Sequence, residues 1–431
     1  MTADDLHDRL DAAASAIQAD VVAWRHRLHQ HPELSNREER TAAFIAEQLR
    51  AFGVDEVIEQ VAGHGVVGVL RGGQGGTRTI ALRADIDALP VKEDSGVDFA
   101  STVVDENYPG GPFPVAHACG HDCHTAMLLG AAHVLTRVRE SLGGTVLFVF
   151  QPAEEGPPIG EDGGAAAMLR SGVLDPFAPS MAFGMHVVPG PKGHVAVRTG
   201  PQYAASALVR ITITGAQVHG STPWMGVDPM PAAAAVIQAV GQLYRQVPAT
   251  EPVTISIEHV EDVGRFNIIG ERVCLYGTAR VLSPTVMEDV QPRLTRTVEH
   301  TAQAYGCTGT AEFLQPVPAV VHDPAWVDAA MPSLRRVVGD RIGEIPPTLG
   351  YDDVSEFIDA YGGVYIMLGV QDVDLDSAGR PSPTPGGRGV APNHSPKFYA
   401  DDDTLHVGVR LHAPVAVDHL AGALAVSPPG A

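Results

Sequence analysis

The sequence has 431 residues, 45% hydrophobic and 19% charged, a balance typical of globular proteins. Its 29 basic and 51 acidic residues give a formal net charge of −22, which disfavours nucleic acid and anionic membranes as partners. Four cysteines are too few for a disulfide scaffold, and no apolar run approaches the roughly 20 residues that span a bilayer. With no basic and apolar leader at the N-terminus, we expect a soluble cytoplasmic protein.

The first part of the chain alternates helical and strand patterns. Residues 4–52 carry apolar side chains at three- and four-residue steps, which predicts helix, and Gly53 ends the pattern. A second helical pattern covers residues 125–138. Continuous apolar runs predict strands covered on both faces at residues 66–70, 79–82, 145–150, 181–185 and 364–368. The alternation predicts an α/β fold with a doubly wound, mostly parallel sheet.

Between two of these predicted strands lies a glycine-rich segment, residues 71–76. It precedes a strand and does not open a helix, so the pattern favours a hairpin turn over a dinucleotide-binding loop.

Residues 205–314 follow a different pattern. Alternating side chains over residues 206–214 predict a half-buried strand. The elements that follow are predicted at residues 231–247 (helix), 253–259 and 273–282 (strands), 284–305 (helix) and 310–314 (strand). This order is that of the split βαβ, or ferredoxin-like, unit. Because α/β sequence resumes afterwards, we expect residues 1–204 and 315–431 to form one domain into which residues 205–314 are inserted as a lid.

Four groups of polar residues follow predicted strands or open a predicted helix. They are residues 83–87 (Arg-Ala-Asp-Ile-Asp), 117–124 (His-Ala-Cys-Gly-His-Asp-Cys-His), 151–155 (Gln-Pro-Ala-Glu-Glu) and 184–186 (Gly-Met-His). Ligands of open α/β sheets bind outside the carboxyl ends of the strands, so we expect these side chains to converge. With a late imidazole from His394, they offer thiolate, imidazole and carboxylate groups suited to a zinc-like ion.

Each motif also has a simpler interpretation. Residues 119–124 could be half of a structural zinc site, although no second Cys/His pair lies nearby to complete a tetrahedron. Glu154 and Glu155 could be a solvated acidic pair, although they directly follow a strand predicted to be buried. His186 alone would more often be a core histidine, and His394 alone a loop residue.

Taken together, the motifs resemble those of the metal-dependent amidohydrolases of the aminoacylase/carboxypeptidase family, in the branch of hippurate hydrolase and indole-acetyl-amino-acid hydrolase. The resemblance runs in order through nearly the whole chain, at residues 25–34, 85–90, 117–124, 151–155, 184–186, 219–220 and 393–396. The chain departs from the family pattern at residues 216–218, at Gly270 and at residues 352–355, none of which is a proposed metal ligand.

This resemblance implies a hydrolase with two divalent ions, zinc or manganese foremost, with cobalt or nickel as alternatives. The residues that match the family's metal ligands are Cys119, His121, Glu155, His186 and His394. Glu154 matches the general base, and Asp85 matches an aspartate that supports the metal ligands.

The resemblance also implies roles for the inserted domain. His219 matches a histidine that reaches the substrate across a homodimer formed by the lids, and Asn267 and Arg280 match contacts to a substrate carboxylate. The substrate implied is an N-acyl amino acid or a peptide-like conjugate. A catalytically silent protein that binds such conjugates in the same cleft is the alternative, which the presence of Glu154 disfavours, because a pure binding protein gains nothing from burying a carboxylate.

Overall fold

The computed structural model describes residues 3–377, 379–424 and 426. Within these residues the chain forms ten α-helices: α1 (Ala3–Ala16), α2 (Gln18–Gln30), α3 (Glu39–Phe52), α4 (His121–Arg137), α5 (Gly164–Arg170), α6 (Pro229–Val240), α7 (Pro284–Ala304), α8 (Pro324–Val338), α9 (Val354–Tyr361) and α10 (Leu405–Ala421). None of them, over the residues described, is long and apolar enough to cross a membrane.

The strands of the same described residues are β1 (Glu56–Val61), β2 (Gly65–Arg71), β3 (Thr79–Asp85), β4 (Val104–Asp105), β5 (Phe113–Pro114), β6 (Thr145–Gln151), β7 (Ala182–Pro191), β8 (Val195–Ala196), β9 (Gly200–Tyr203), β10 (Ala205–Thr214), β11 (Val218–His219), β12 (Val253–Asp262), β13 (Ile268–Ile269), β14 (Arg272–Val281), β15 (Thr308–Val317), β16 (Val320–His322), β17 (Ile342–Gly343), β18 (Gly363–Gln371), β19 (Val373–Leu375) and β20 (Pro381–Pro383).

The chain divides into two compact units. The first comprises the described parts of Met1–Gly200, His322–Ile345 and Glu356–Ala431, and the second comprises Pro201–Val321 and Pro346–Ser355. The segment Pro346–Ser355 of the second unit lies outside the insertion that the sequence pattern predicts at residues 205–314.

An eight-stranded mixed sheet forms the centre of the first unit, in the order β1-β2-β6-β3-β7-β18-β8-β17. Its four central strands, β6, β3, β7 and β18, are parallel. The pairs β1–β2 and β2–β6 are antiparallel, as is β18–β8. The predicted α/β class is confirmed, and the continuous apolar run of β6 is buried, as expected for a strand with both faces covered.

Two local predictions for this unit need correction. The glycine-rich residues 71–76 do not form a hairpin turn, because β6 lies between β2 and β3 and pairs with both. The helical pattern of residues 4–52 is three helices, interrupted after α1 and again before α3. The second interruption contains Pro32, which lacks a backbone N–H, and Asn36, whose φ of 61° is left-handed.

The second unit is built on a four-stranded antiparallel sheet in the order β12-β14-β10-β15. The connection order β10-α6-β12-β14-α7-β15 is the predicted split βαβ arrangement. Alternate residues of β10, including Val209, Ile211 and Ile213, are fully buried in a core with residues of α6 and α7. The helix predicted over residues 231–247 is shorter in the structure: α6 ends at Val240, and a short 3-10 turn at Leu243–Gln246 follows.

Candidate metal centre

The carboxyl ends of the parallel strands bring the predicted metal ligands together in the first unit. The side chains form overlapping groups of three, and the ligand atoms within each group all lie within 4.8 Å of one another. These groups are Cys119, His121 and His186; Cys119, Glu155 and His394; and His121, Glu154 and Glu155. Since the groups share members, all five predicted ligands and Glu154 form a single cluster. The residues come from β7, from the N-terminus of α4, from the turn after β6 and from the loop before α10.

The turn between Cys119 and His121 depends on Gly120. Its φ of 92° lies in the left-handed region, and a Cβ atom placed there would lie 2.3 Å from Val187 Cγ2. Glycine therefore lets this turn pack directly against the strand that carries His186. The sulfur of Cys119 lies 3.3 Å from His186 Nε2 as a result.

The two buried histidines of the cluster each have a fixed ring orientation. His121 Nδ1 lies 2.9 Å from the carbonyl oxygen of Asp87, and His186 Nδ1 lies 2.7 Å from that of Val187. Because a carbonyl oxygen only accepts, each Nδ1 carries a hydrogen, so Nε2 is the atom of each neutral ring that can bind a cation.

His121 Nε2 gives a direct test of whether the cluster fits a metal ion. It is buried and makes no hydrogen bond within the described residues. Its neighbours are the carboxylates of Glu154 at 3.7 Å and Glu155 at 3.8 Å. A lone pair on this buried nitrogen would face carboxylate oxygens, which is unfavourable without a cation between them. Burial lowers the pKa of His121, but Asp85, Asp87 and Glu155 outweigh it and raise the pKa to about 10, so this position favours positive charge. Nitrogen, sulfur and carboxylate donors also suit a zinc-like ion, so the residues fit a metal.

The turn that carries the two glutamates is fixed by buried carboxylates behind it. Ala153, with a φ of 53°, donates its N–H to Glu38 Oε1 at 2.9 Å, and Glu155 donates its N–H to Asp87 Oδ2 at 3.0 Å. Glu155 Oε1 then lies 3.1 Å from Nε2 of the half-exposed His394. Burial, with Asp87 adding to it, raises the pKa of Glu38 to about 8.

Asp85 lies next to the cluster but acts through other residues. Its carboxylate accepts from His124 Nδ1 at 2.5 Å and from Arg83 at 2.7 Å, and lies 3.8 Å from His121 Nδ1. Burial opposes ionisation, but His121, His124 and Arg83 hold the pKa of Asp85 well below its ordinary value. The carboxylate in hydrogen-bond contact with His121 is Asp87, at 3.2 Å, a residue of the same motif that the sequence analysis does not single out.

The electrostatics of the cluster favour a cation. Burial, with Glu155, Glu154 and Asp85 nearby, raises the pKa of Cys119 well above its ordinary value. Burial lowers the pKa of His186 well below its ordinary value. A thiol that resists ionisation among carboxylates becomes a thiolate when a metal ion neutralises the local charge.

A second buried network supports the helix that carries His121, and sequence reasoning missed it. Asp122 accepts from Arg25 Nε at 3.0 Å and from His29 Nδ1 at 2.9 Å. His29 continues to Glu93 at 2.8 Å, and Arg25 continues to the carbonyl oxygen of Ala400 at 2.9 Å. The network therefore ties α2, α4 and two loops together next to the residue that follows His121.

The remaining predicted site residues belong to the second unit. His219 is exposed and accepts from the N–H of Ser221 at 3.1 Å, and Gly220 donates to the carbonyl of Asn267 at 3.0 Å. Asn267 precedes the first residue of β14, whereas Arg280 lies near the last residue of that strand. The Arg280 guanidinium lies over the ring of Tyr351, with Nη1 3.3 Å from the carbonyl oxygen of Leu349. The structure therefore brings His219 and Asn267 together and places Arg280 apart from them.

The fold and this cluster of donors define an α/β protein with a candidate metal centre. The chain belongs to the peptidase family M20/M25/M40, whose family model matches residues 81–418, and it is therefore a hydrolase.

Two curated relatives illustrate this membership. The chain is 34% identical over 418 residues to thermostable carboxypeptidase 2 of Saccharolobus solfataricus, which covers 96% of this chain and 98% of that protein. It is 33% identical over 411 residues to IAA-amino acid hydrolase ILR1-like 4 of Arabidopsis thaliana, which covers 93% and 86%. Among solved structures, a dinuclear metal-binding M20 peptidase of Bacillus subtilis superposes with a TM-score of 0.73 at 29% identity, covering 94% and 99% of the two chains.

Proposed function

We propose that this protein is a binuclear metal-dependent hydrolase that cleaves the amide bond of N-acyl amino acids or related conjugates. The observation that carries the proposal is the cluster of five metal-ligating side chains with a further carboxylate, Glu154, beside them. The names of the relatives, a carboxypeptidase and an IAA-amino acid hydrolase, support an amide bond next to an amino acid as the target.

In this proposal Cys119, His121, Glu155, His186 and His394 hold two divalent ions. The overlapping triads support two ions, since one ion would leave part of the donor set unused. The family resemblance favours zinc or manganese, and the mixed sulfur, nitrogen and oxygen donors would also accept cobalt or nickel. When bound there, two such ions would lower the pKa of a water molecule and polarise the amide carbonyl.

Glu154 is then the general base. It takes a proton from the attacking water as the C–O bond forms, and it returns that proton to the nitrogen as the C–N bond breaks. Its adjacency to Glu155 supports this role, because a ligand next in sequence keeps the base within reach of the reacting atoms. Asp85 and Asp87 hold the histidines behind it and do not touch the substrate.

The second unit supplies the substrate contacts in this proposal: His219 stabilises the oxyanion, and Asn267 and Arg280 bind the substrate carboxylate. Asn267 lies in the loop that precedes β14, whose first residue is Arg272, whereas Arg280 lies near the end of that strand. At a rise of about 3.3 Å per residue, Arg272 and Arg280 are about 25 Å apart. One small substrate cannot reach both Asn267 and Arg280 of the same chain. This separation supports a homodimer through the second units, in which each substrate meets residues from both chains.

We place the enzyme in the cytoplasm. The four cysteines, at positions 119, 123, 274 and 307, are all free thiols. Free thiols are typical of proteins kept in a reducing compartment, which supports this location.

The decisive experiment compares Glu154→Gln with Glu155→Ala, after metal loading, on a panel of N-acyl amino acids that differ in acyl length and side chain. We expect Glu154→Gln to retain two metal ions and to lose activity by about 100-fold or more, as is usual for a missing general base. Glu155→Ala should lose metal. Glu59→Gln, a change of an exposed carboxylate, is the matched control and should keep both properties. Release of amine at an undiminished rate by Glu154→Gln would contradict the assignment, and binding without release by the wild type would indicate a silent binding protein.

A further inference from the structure

We infer that Asn393 is a positioning residue that holds three of the ligand-bearing segments in register, an inference that rests on the metal centre of the proposed function. The side-chain amide Nδ2 of Asn393 lies 3.0 Å from the carbonyl oxygen of Cys119 and 3.2 Å from that of Val187. Asn393 itself directly precedes His394, so one side chain connects the positions of Cys119, His186 and His394.

The orientation of this amide follows from its neighbours. Both contacts are backbone carbonyl oxygens, which only accept hydrogen bonds, so the amide group that faces them is the NH₂ and not the oxygen. A primary amide has two N–H groups, and here each has its own acceptor. No side chain of similar size other than asparagine offers two donors from one atom without a charge.

The carbonyl of Val187 is where this clamp meets a metal ligand. The same oxygen accepts from His186 Nδ1 at 2.7 Å, the bond that fixes the His186 tautomer. Asn393 therefore holds the acceptor that orients His186, while its other bond holds the backbone of Cys119. The two ligand atoms concerned, Cys119 Sγ and His186 Nε2, lie 3.3 Å apart.

The backbone of His394, the residue after Asn393, also attaches this loop to the segment that carries Cys119. His394 has a φ of 67°, a left-handed conformation that costs free energy in a residue other than glycine. Its N–H bonds to the carbonyl of Ala118 at 2.7 Å. The turn is thus attached to residues 118 and 119 by consecutive residues, and this attachment directs the His394 imidazole toward Glu155.

Cobalt loading tests this role, because thiolate–cobalt absorption reports the geometry at Cys119 independently of activity. We expect Asn393→Asp, which replaces the donor with an acceptor, to weaken cobalt affinity by about 10- to 100-fold and to change the thiolate absorption. Asn107→Asp makes the same chemical change at an exposed position and should alter neither property. A lower melting temperature of Asn393→Asp with unchanged cobalt affinity and spectrum would show a merely structural role and overturn the inference.

A second measurement uses the protein without metal, so that the test does not depend on loading. Loss of the clamp should speed alkylation of Cys119, while Cys123, buried on α4 four residues later, should react as slowly as in the wild type. Equal acceleration at both cysteines would mean general unfolding, and no acceleration at Cys119 would mean that Asn393 does not restrain it; either result contradicts the inference. A wild-type protein that binds no cobalt would instead overturn the proposed function together with this inference.

Discussion

Cys119 Sγ lies 3.3 Å from His186 Nε2 although the two residues are 67 positions apart in the chain. This contact depends on neighbouring residues that position the two side chains. Gly120 allows the turn of Cys119 to approach β7, and Val187 fixes the ring of His186 from behind. The donor atoms of the cluster are therefore held in place by groups that are not themselves donor atoms of the cluster.

Replacing Asp87 with asparagine should weaken metal binding by about 10- to 100-fold, because this carboxylate is in contact with His121 and also accepts the N–H of Glu155. An amide at this position can serve only one of the two partners as acceptor. Competition with a chelator of known affinity measures the effect. Asp98→Asn, at an exposed position, is the control, and equal affinities for the two variants would contradict the role of Asp87.

Gly120→Ala should reduce both stability and metal affinity. The new Cβ would need to share space with Val187 Cγ2, 2.3 Å away, and so would displace the turn between Cys119 and His121. Gly53 has a similar positive φ of 80°, but a Cβ atom added there would meet no neighbouring atom within 4 Å. Gly53→Ala should therefore lower the stability through backbone strain alone and leave the metal content unchanged. Metal analysis after desalting, with thermal unfolding alongside, distinguishes the two. Full metal content in Gly120→Ala would show that the turn tolerates a side chain.

Arg25→Met should destabilise the protein by about 3 kcal/mol, because it removes one of the two cations that contact the buried carboxylate of Asp122 and leaves His29 as the other. The matched change Arg50→Met breaks an exposed pair with Glu59 and should cost less than about 1 kcal/mol. Urea unfolding of both variants measures the difference in free energy of unfolding. Similar losses of stability in the two variants would mean that the buried pair of Arg25 and Asp122 contributes no more than an exposed pair, which would contradict this prediction.

The charge of His29 should make part of the stability depend on pH. Burial alone would lower its pKa, but Asp122 and Glu93 overcome this and raise the pKa from 6.5 to about 9. A pKa raised on folding stabilises the protein fully below pH 6.5, and this contribution disappears as the pH rises through about 9. The stability advantage of the wild type over His29→Gln should therefore shrink between these pH values in urea unfolding. An advantage that is constant or grows over this range would mean that His29 is neutral in the folded protein.

The sequence predicts the architecture of both units because their patterns are local. The apolar run of β6 and the alternation of β10 each reflect which faces of a strand are covered, and the structure contains both strands. Strand order is not local. The glycines between β2 and β3 are typical of a tight turn, yet β6, from much later in the chain, lies between those strands.

The same distinction applies to the metal centre. The residue types of the candidate ligands, and their positions after strands, are visible in the sequence, and their convergence follows from the parallel sheet. The supporting groups are not visible in this way. Asp87, Asn393 and His29 lie inside the recognised motifs, but nothing in the order of residues tells which neighbour each will contact, because every one of their partners is distant in sequence.

The contact between His394 and Glu155 has a consequence for the order of events during synthesis. His394 belongs to the last tenth of the chain, whereas Glu155 and Cys119 belong to its first half. A nascent polypeptide on the ribosome thus cannot complete this cluster until residue 394 has been translated and has left the exit tunnel. Under the proposed function, full metal incorporation waits for that point, and a translation product that stops before it would carry an incomplete set of ligands.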